Sequence, residues 1–313
     1  VKAAVVERYG PPEVVSVRDL PDPVAGKGQI VVRVRATTVN SGDARIRGCR
    51  FPRGFALPGR LALGWRGPRR AVLGVVYSGT VESLGSGVTG LTIGDQVAGM
   101  TGMAMGAHAE LAAVRADRLT SVPAGVSHED AAAVLFGGST ARHFLDDVVA
   151  PGRRVLVNGA SGAVGTAAVQ VAHLAGAHVT AVCSERNAEL VRSLGADEVV
   201  DHNRTSVHAL ATTYDVVLDA VGNLDRRSGR RLLAPSGVLV LAVAGLVDTV
   251  LARGNVRAGG SPEDPAHFAW LLERLAAGDL RPVVARTMSL DEIVEAHRIV
   301  DSGRKVGNLV VTP

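Results

Sequence analysis

The chain has 313 residues, 47% hydrophobic and 20% charged, a length that suits two folded domains and a composition that excludes a long disordered tail. Its net charge of +4 and pI near 9.5 come almost wholly from arginine, and without aromatic residues interleaved among them no nucleic-acid partner is expected. The two cysteines, Cys49 and Cys183, cannot build a disulfide framework or a four-cysteine zinc lobe, which points to a reducing cytoplasm, and no targeting pattern or spanning apolar run suggests a membrane partner.

The first 120 residues alternate β-rich runs with Gly and Pro, as in IVVRVRATTV (30–39) and the segment 72–84, and predict an irregular β domain. Arg45, Arg47, Arg50, Arg53, Arg60, Arg66, Arg69 and Arg70 fall where no acid stands between Asp43 and Glu82. A solvated loop is one reading. The other is an electropositive rim that steers an anionic substrate or cofactor phosphates.

From about residue 150 the pattern becomes strand and helix in turn, with strands at RRVLVN (153–158), HVTAVCS (178–184), DEVVD (197–201), YDVVLD (214–219) and GVLVLAV (237–243). That alternation predicts parallel βαβ units. Ser127 with Asp130, Ser261 before Pro262, and Ser289 with Glu292 read as helix starts, and Gly303 as the end of the last helix. The closing KVGNLVVTP is strand-like and is expected to return to the first domain. The expected domains are therefore 1–122 completed by 280–313, and 123–279.

The motif NGASGAVG (158–165) follows RRVLVN and opens a helix near Ala163. Gly159, Gly162 and Gly165 stand three apart, the small residues a strand needs to turn sharply into a helix while the backbone approaches a pyrophosphate. The helix start offers unpaired amides and the positive end of its dipole to phosphates. Gly159, Ala160, Ser161, Gly162, Ala163, Val164 and Gly165 are thus expected to bind a dinucleotide. Cys183 ends the next strand, where an acid would accept hydrogen bonds from the ribose of NAD. Ser184 and Arg186 after it suit a 2′-phosphate, so NADPH is expected, with Glu185 as the counter-indication because a carboxylate there could take a ribose instead.

The segment NGASGAVGTAAVQVAHLAGAHVTAVCSERNAELVRSLGADEVVDH resembles the cofactor half of zinc-free, quinone oxidoreductase-like members of the medium-chain dehydrogenase/reductase superfamily. KAAVVERYGPPEVVSV, RVRATTVNSGDARIRG, LGVVYSGTVESLGSGVTGLTIGDQVAG and VGNLVVTP are similar to the same family's catalytic domain. The resemblance implies an α/β protein in which a GroES-like β-barrel domain joins a Rossmann domain, a doubly wound parallel sheet, with the active site in the cleft between them. It also implies a homodimer made by pairing sheet edges through a segment such as GVLVLAV.

Zinc-using relatives carry a Cys in the segment matching TTVNSGD, a Gly-His-Glu in that matching LGVVYSG, and a Cys just before the Ser-Thr of FGGSTA. Asn40, Val75 with Val76, and Phe136 stand in those places, and valine and phenylalanine cannot ligate a metal. No metal is expected. Without a Lewis acid, hydride transfer to a quinone or an α,β-unsaturated carbonyl is easier than alcohol oxidation. The resemblance places Asn40 beside the nicotinamide and Thr140 at its ribose, with Tyr77 as a third catalytic candidate. His108, His143, Asp43 and Arg45 are further candidate proton donors, and His202, Gly222 and Val243 complete the expected cofactor set. A tailoring enoyl reductase or ketoreductase and a non-catalytic NADPH-binding protein are competing readings on the same fold.

Overall fold

The computed structural model describes all 313 residues. The chain opens on an antiparallel hairpin, β1 (Lys2–Val6) with β2 (Val15–Asp19). There follow β3 (Gln29–Val39), α1 (Ser41–Gly48), α2 (Ala56–Leu63), β4 (Val76–Leu84), β5 (Gln96–Met100), β6 (Leu111–Arg115), β7 (Leu119–Ser121) and α3 (His128–Leu145). Strands and helices then alternate as β8 (Arg154–Asn158), α4 (Ala163–Leu174), β9 (His178–Cys183), α5 (Ala188–Ser193), β10 (Glu198–Asp201), β11 (Tyr214–Asp219), α6 (Arg226–Arg230), β12 (Leu233–Leu241), α7 (Leu246–Val250) and β13 (Val256–Ala258). The chain closes with α8 (Pro265–Ala276), β14 (Val284–Ser289), α9 (Ile293–Asp301) and β15 (Asn308–Thr312).

The first compact unit takes Val1–Phe51, Ala56–Phe136 and Pro262–Pro313. Its organising strand is β3, which pairs antiparallel with β4, with β6 and with β15. Period-two alternation sends Ile30, Val32 and Val34 into one core with Tyr77, Val81, Val97, Ala112 and Val114. The pairing of Leu309 with Val39 brings the last strand of the chain back onto this unit.

The second unit takes Pro52–Phe55 and Gly137–Ser261. Its six strands run parallel in the order β10-β9-β8-β11-β12-β13. Counted in chain order this is 3-2-1-4-5-6, the doubly wound arrangement. The order reverses between β8 and β11, and the crevice outside the carboxyl ends of those two strands is where such sheets take ligands.

Three expectations need correction. The boundaries fall at 136 and 262 rather than 122 and 280, because Phe268, Leu271 and Leu272 of α8 and Ala131 to Leu135 of α3 bury themselves with Ala98, Met100 and Val310. Segment 237–243 is not at an edge: β12 lies between β11 and β13, with Leu239, Val240 and Leu241 opposite Val256, Arg257 and Ala258. Helix α8 starts at Asp264, whose carboxylate accepts from the amide of Ala266 with Pro265 at the first position, three residues beyond Ser261. The other expected caps are present, since Ser127 accepts from the amide of Asp130, Ser289 and Glu292 close a reciprocal box, and Gly303 ends α9 at φ +67°. No helix is long and apolar enough to cross a membrane.

Candidate cofactor cradle and reaction groups

In the second unit, the turn after β8 is tied to β9 by the amides of Gly159 and Ala160, both of which donate to the carbonyl of Val182. Each glycine of the motif has a separate role. Gly159 sits at φ +83°, and a Cβ there would stand 2.7 Å from Cγ2 of Val221. A Cβ on Gly165 would stand 2.1 Å from the carbonyl oxygen of Gly159, so only glycine lets α4 pack against the turn. Gly162 differs. Its nearest neighbour to an added Cβ is 3.5 Å away, and it starts α4 without any side-chain cap. The approach beside Gly162 is therefore open, and the first amides of α4, at Ala163, Val164 and Gly165, have no capping side chain, the donor set that a pyrophosphate requires.

Asn158 and Asp219 end β8 and β11, the two strands at the switch point. Nδ2 of Asn158 donates to Oδ1 of Asp219 at 2.8 Å and to Oδ1 of Asn223 at 2.6 Å. The fully buried carboxylate of Asp219 also accepts from the amides of Val221, Gly222 and Leu224. It thereby folds the loop after β11 around itself. At φ +89°, Gly222 of that loop lies against Val243, whose Cγ1 would be 2.8 Å from an added Cβ. Gly159, Gly222 and Val243 thus meet at the carboxyl ends of β8, β11 and β12. The parts played by Asn158 and Asp219 were missed in the sequence, where the only signal was an Asp ending a strand three residues before a glycine.

The turn after β9 carries the residues expected at the ribose. The Ser184 hydroxyl and Nε2 of His202 are 3.0 Å apart, and the amide of His202 donates to the carbonyl of Cys183. Glu185, Arg186 and His202 are exposed. Burial, then the charges of Asp201 and Glu185, push the Cys183 thiol up to about 11, so it stays protonated under the turn. One acid escaped the sequence reading, Asp201, which lies opposite Cys183 in register. Its carboxylate accepts from the amide and the side chain of Asn203, takes a backbone hydrogen bond from Glu185 in the turn after β9, and faces Arg204 at 3.6 Å. On α3, Gly137 packs against the start of α4, where a Cβ would stand 2.1 Å from the carbonyl oxygen of Ala163. Thr140, one turn further along, has its hydroxyl 3.4 Å from that of Ser261.

In the first unit, Asn40 caps α1. Its Oδ1 accepts from the amides of Gly42 (2.7 Å) and Asp43 (3.2 Å), while Oδ2 of Asp43 accepts from the amide of Asn40 (2.9 Å). With the oxygen so engaged, the amide orientation is fixed, and Nδ2 is left buried without a partner. Asp43 is itself buried, accepts from the amide of Gly74, and lies 3.9 Å from Nε2 of His108. Burial pushes its carboxyl up, and His108 and the two backbone donors partly oppose that. His108 is buried, with Nε2 3.0 Å from the carbonyl of Thr38. Gly74, at φ +89°, makes room for that ring, since a Cβ would stand 2.4 Å from Cδ2 of His108.

The remaining candidates separate. Tyr77 has no exposed surface and packs in the barrel core with its hydroxyl unpartnered, and burial pushes its pKa up. Its candidacy as a catalytic residue is withdrawn, because alternation on β4 turns it into the barrel core with Ile30, Val32 and Val34, while Val76 is buried on the opposite face. His143 has its ring edge-on to Phe144. Arg45 is half-buried, and burial followed by the charge of Arg50 pulls its pKa down. Arg47, fully buried, donates to the carbonyl of Gly10 and to Asp301, which Arg50 also joins. Arg47 and Arg50 thus tie α1 to α9. Val76 is buried, Val75 and Phe136 are packed against apolar neighbours, and no three His, Cys, Asp or Glu side chains are grouped to hold a metal ion.

A 3-2-1-4-5-6 sheet with a glycine turn at its switch point, joined in one chain to a β domain organised on β3, defines a dehydrogenase or reductase of two units. Residues 26–124 match the alcohol dehydrogenase GroES-like domain, and residues 194–311 match the zinc-binding dehydrogenase family. The quinone oxidoreductase of Pseudomonas aeruginosa is 30% identical, over 97% of this chain and 97% of that one. Among solved structures, the quinone oxidoreductase from Coxiella burnetii superposes with a TM-score of 0.88 at 27% identity, covering 100% of this chain and 99% of that one. A mycobacterial protein solved in complex with NADPH does so at 0.80 and 27% identity, covering 100% of each chain. The chain belongs to the quinone oxidoreductase-like members of the medium-chain dehydrogenase/reductase superfamily, a family of oxidoreductases.

Proposed function

We propose that this chain is an NADPH-dependent reductase that delivers hydride to a quinone or an α,β-unsaturated carbonyl without zinc. The observation that carries the reading is the open, uncapped start of α4 behind Gly162, set at the switch point between Asn158 and Asp219. The amides of Ala163, Val164 and Gly165 bind the pyrophosphate. Ser184, Arg186 and His202 bind the 2′-phosphate, and Thr140 orients the ribose beside the nicotinamide. When bound, the nicotinamide supplies the hydride. Asn40 contributes its unpartnered Nδ2 as a hydrogen-bond donor to an oxygen that gains negative charge during reduction. With Asn40, Val75 and Phe136 where zinc-using relatives have ligands, that donor takes the place of a Lewis acid.

The names of the similar proteins support an oxidoreductase that uses NAD(P)H and acts on quinones. The homodimer expected from the resemblance would use β13, the outer strand of the sheet, in place of segment 237–243. The test is steady-state oxidation of NADPH with a panel of quinones, enones, ketones and alcohols. Turnover with a quinone or an enone and none with simple alcohols is expected, and NADPH binding without turnover on any acceptor would make the protein a non-catalytic binder.

A further inference from the structure

Helix α2 has no buried residue, although it reads ALPGRLAL. Leu57 and Leu61, four apart and so on one face, are 59% and 60% exposed, and Trp65, just past the end of the helix, is 60% exposed. An apolar row at that spacing ordinarily faces a core, and here it faces solvent. Around it the charge has one sign. No acid stands between Asp43 and Glu82, and Arg66, Arg69 and Arg70 are exposed and form no ion pair, while Glu7, whose backbone lies against Gly67, has its carboxylate taken by Arg18. Elsewhere in the same unit Arg18, Arg33, Arg115 and Arg298 each meet a carboxylate; Arg8, Arg35 and Arg304 are exposed without an ion pair but stand apart from one another in sequence, whereas Arg66, Arg69 and Arg70 fall within five residues. Arg60 lies over the ring of Tyr9 and one nitrogen of Arg69 donates to the carbonyl of Leu61, contacts that fix the segment while the cationic surface stays open.

We infer that residues 56–70 dock the protein on an anionic lipid bilayer. Leu57 and Leu61 enter the boundary between headgroups and acyl chains, Trp65 lies at the headgroup level that tryptophan favours, and Arg66, Arg69 and Arg70 meet lipid phosphates and carboxylates. Charge decides against a second copy as occupant, since two such surfaces facing across a two-fold axis would repel. Apolar side chains decide against RNA, because leucines offer nothing to a phosphodiester backbone. Docking of this kind departs from the expectation of no membrane partner, and it is independent of the reductase reading.

The full chain carrying Trp270→Phe, which leaves Trp65 as its one tryptophan, is mixed with vesicles of phosphatidylcholine alone or with phosphatidylserine. Co-flotation and a blue shift of Trp65 emission with the anionic vesicles only, both weakened by high salt, are expected. The triple variant Arg66→Gln, Arg69→Gln, Arg70→Gln should bind about a hundredfold more weakly at low salt, and Leu57→Ser with Leu61→Ser should abolish the shift. Absence of flotation, or equal flotation of wild type and both variants, overturns the proposal. So does light scattering that shows the leucine variant converting a dimer to a monomer with no vesicle binding by wild type, or binding to single-stranded RNA but not to vesicles.

Discussion

Asn158 and Asp219 are joined by a hydrogen bond of 2.8 Å across the point at which the strand order of the second unit reverses. The bond couples the glycine turn, which begins one residue after Asn158, to the loop that Asp219 folds around its carboxylate. Replacing Asp219 with Ala strands the amides of Val221, Gly222 and Leu224 and should cost about 2–4 kcal/mol of stability. Asn158→Ala should cost less. A double-mutant cycle by urea denaturation should show coupling of about 1 kcal/mol or more. Strictly additive effects would mean that the two residues do not act as one unit.

The three glycines of the turn should separate stability from binding. Gly165→Ala drives a Cβ into the carbonyl of Gly159 and should destabilise the fold by about 2 kcal/mol or more. Gly162→Ala has room in the folded chain and an ordinary φ of −81°, so its stability should stay within about 0.5 kcal/mol of wild type. On the proposed reading it places a methyl group on the phosphate approach and should weaken cofactor binding about tenfold or more. Calorimetry on both variants checks this, and unchanged affinity in Gly162→Ala would make the turn purely structural.

How far these features were legible in the sequence depended on distance along the chain. The glycine turn could be read because backbone geometry demands small residues at fixed offsets within eight positions. Gly222 and Val243 were placed beside it by resemblance, and the loop built by Asp219 explains why they arrive there. Tyr77 was misplaced because both faces of β4 are covered at that point, Val76 in one core and Tyr77 in another, so alternation alone leaves neither residue to a cleft. The three residues of β13 were too few to register as a strand, and so β12 passed for an edge. Arg47 with Asp301, and His108 with His297, lie far apart in sequence and pair only once the barrel has closed.

His297 should make the protein acid-sensitive. It is fully buried with both ring nitrogens unpartnered, and burial, followed by the charges of His108 and Arg47, takes its pKa from 6.5 down to about 2. The folded state refuses a proton that the unfolded chain accepts, so this contribution is intact above pH 6.5 and is lost as pH falls below it. The loss is about 1.4 kcal/mol per unit, or about 2 kcal/mol at pH 5. Urea midpoints between pH 7 and 5 should fall more steeply for wild type than for His297→Leu. Parallel pH profiles would remove His297 as the cause.

On the resemblance, Asn40, Val75 and Phe136 stand where zinc-using relatives have ligands. Protein purified without added metal should contain far less than one zinc per chain by elemental analysis, and chelator treatment should change neither the melting temperature nor NADPH oxidation. One zinc per chain, with activity lost on chelation, would require ligands outside these places.

Cofactor choice tests the central reading most directly, by titrating NADPH and NADH against wild type and Arg186→Ala. A hydrogen bond to a charged group contributes about 1.5–3 kcal/mol, and about 1.4 kcal/mol is tenfold in affinity. Wild type should therefore prefer NADPH, and Arg186→Ala should weaken NADPH about ten- to a hundredfold while leaving NADH nearly unchanged. Preference of wild type for NADH, with Arg186→Ala silent toward NADPH and Glu185→Ala costly to NADH, would contradict the account.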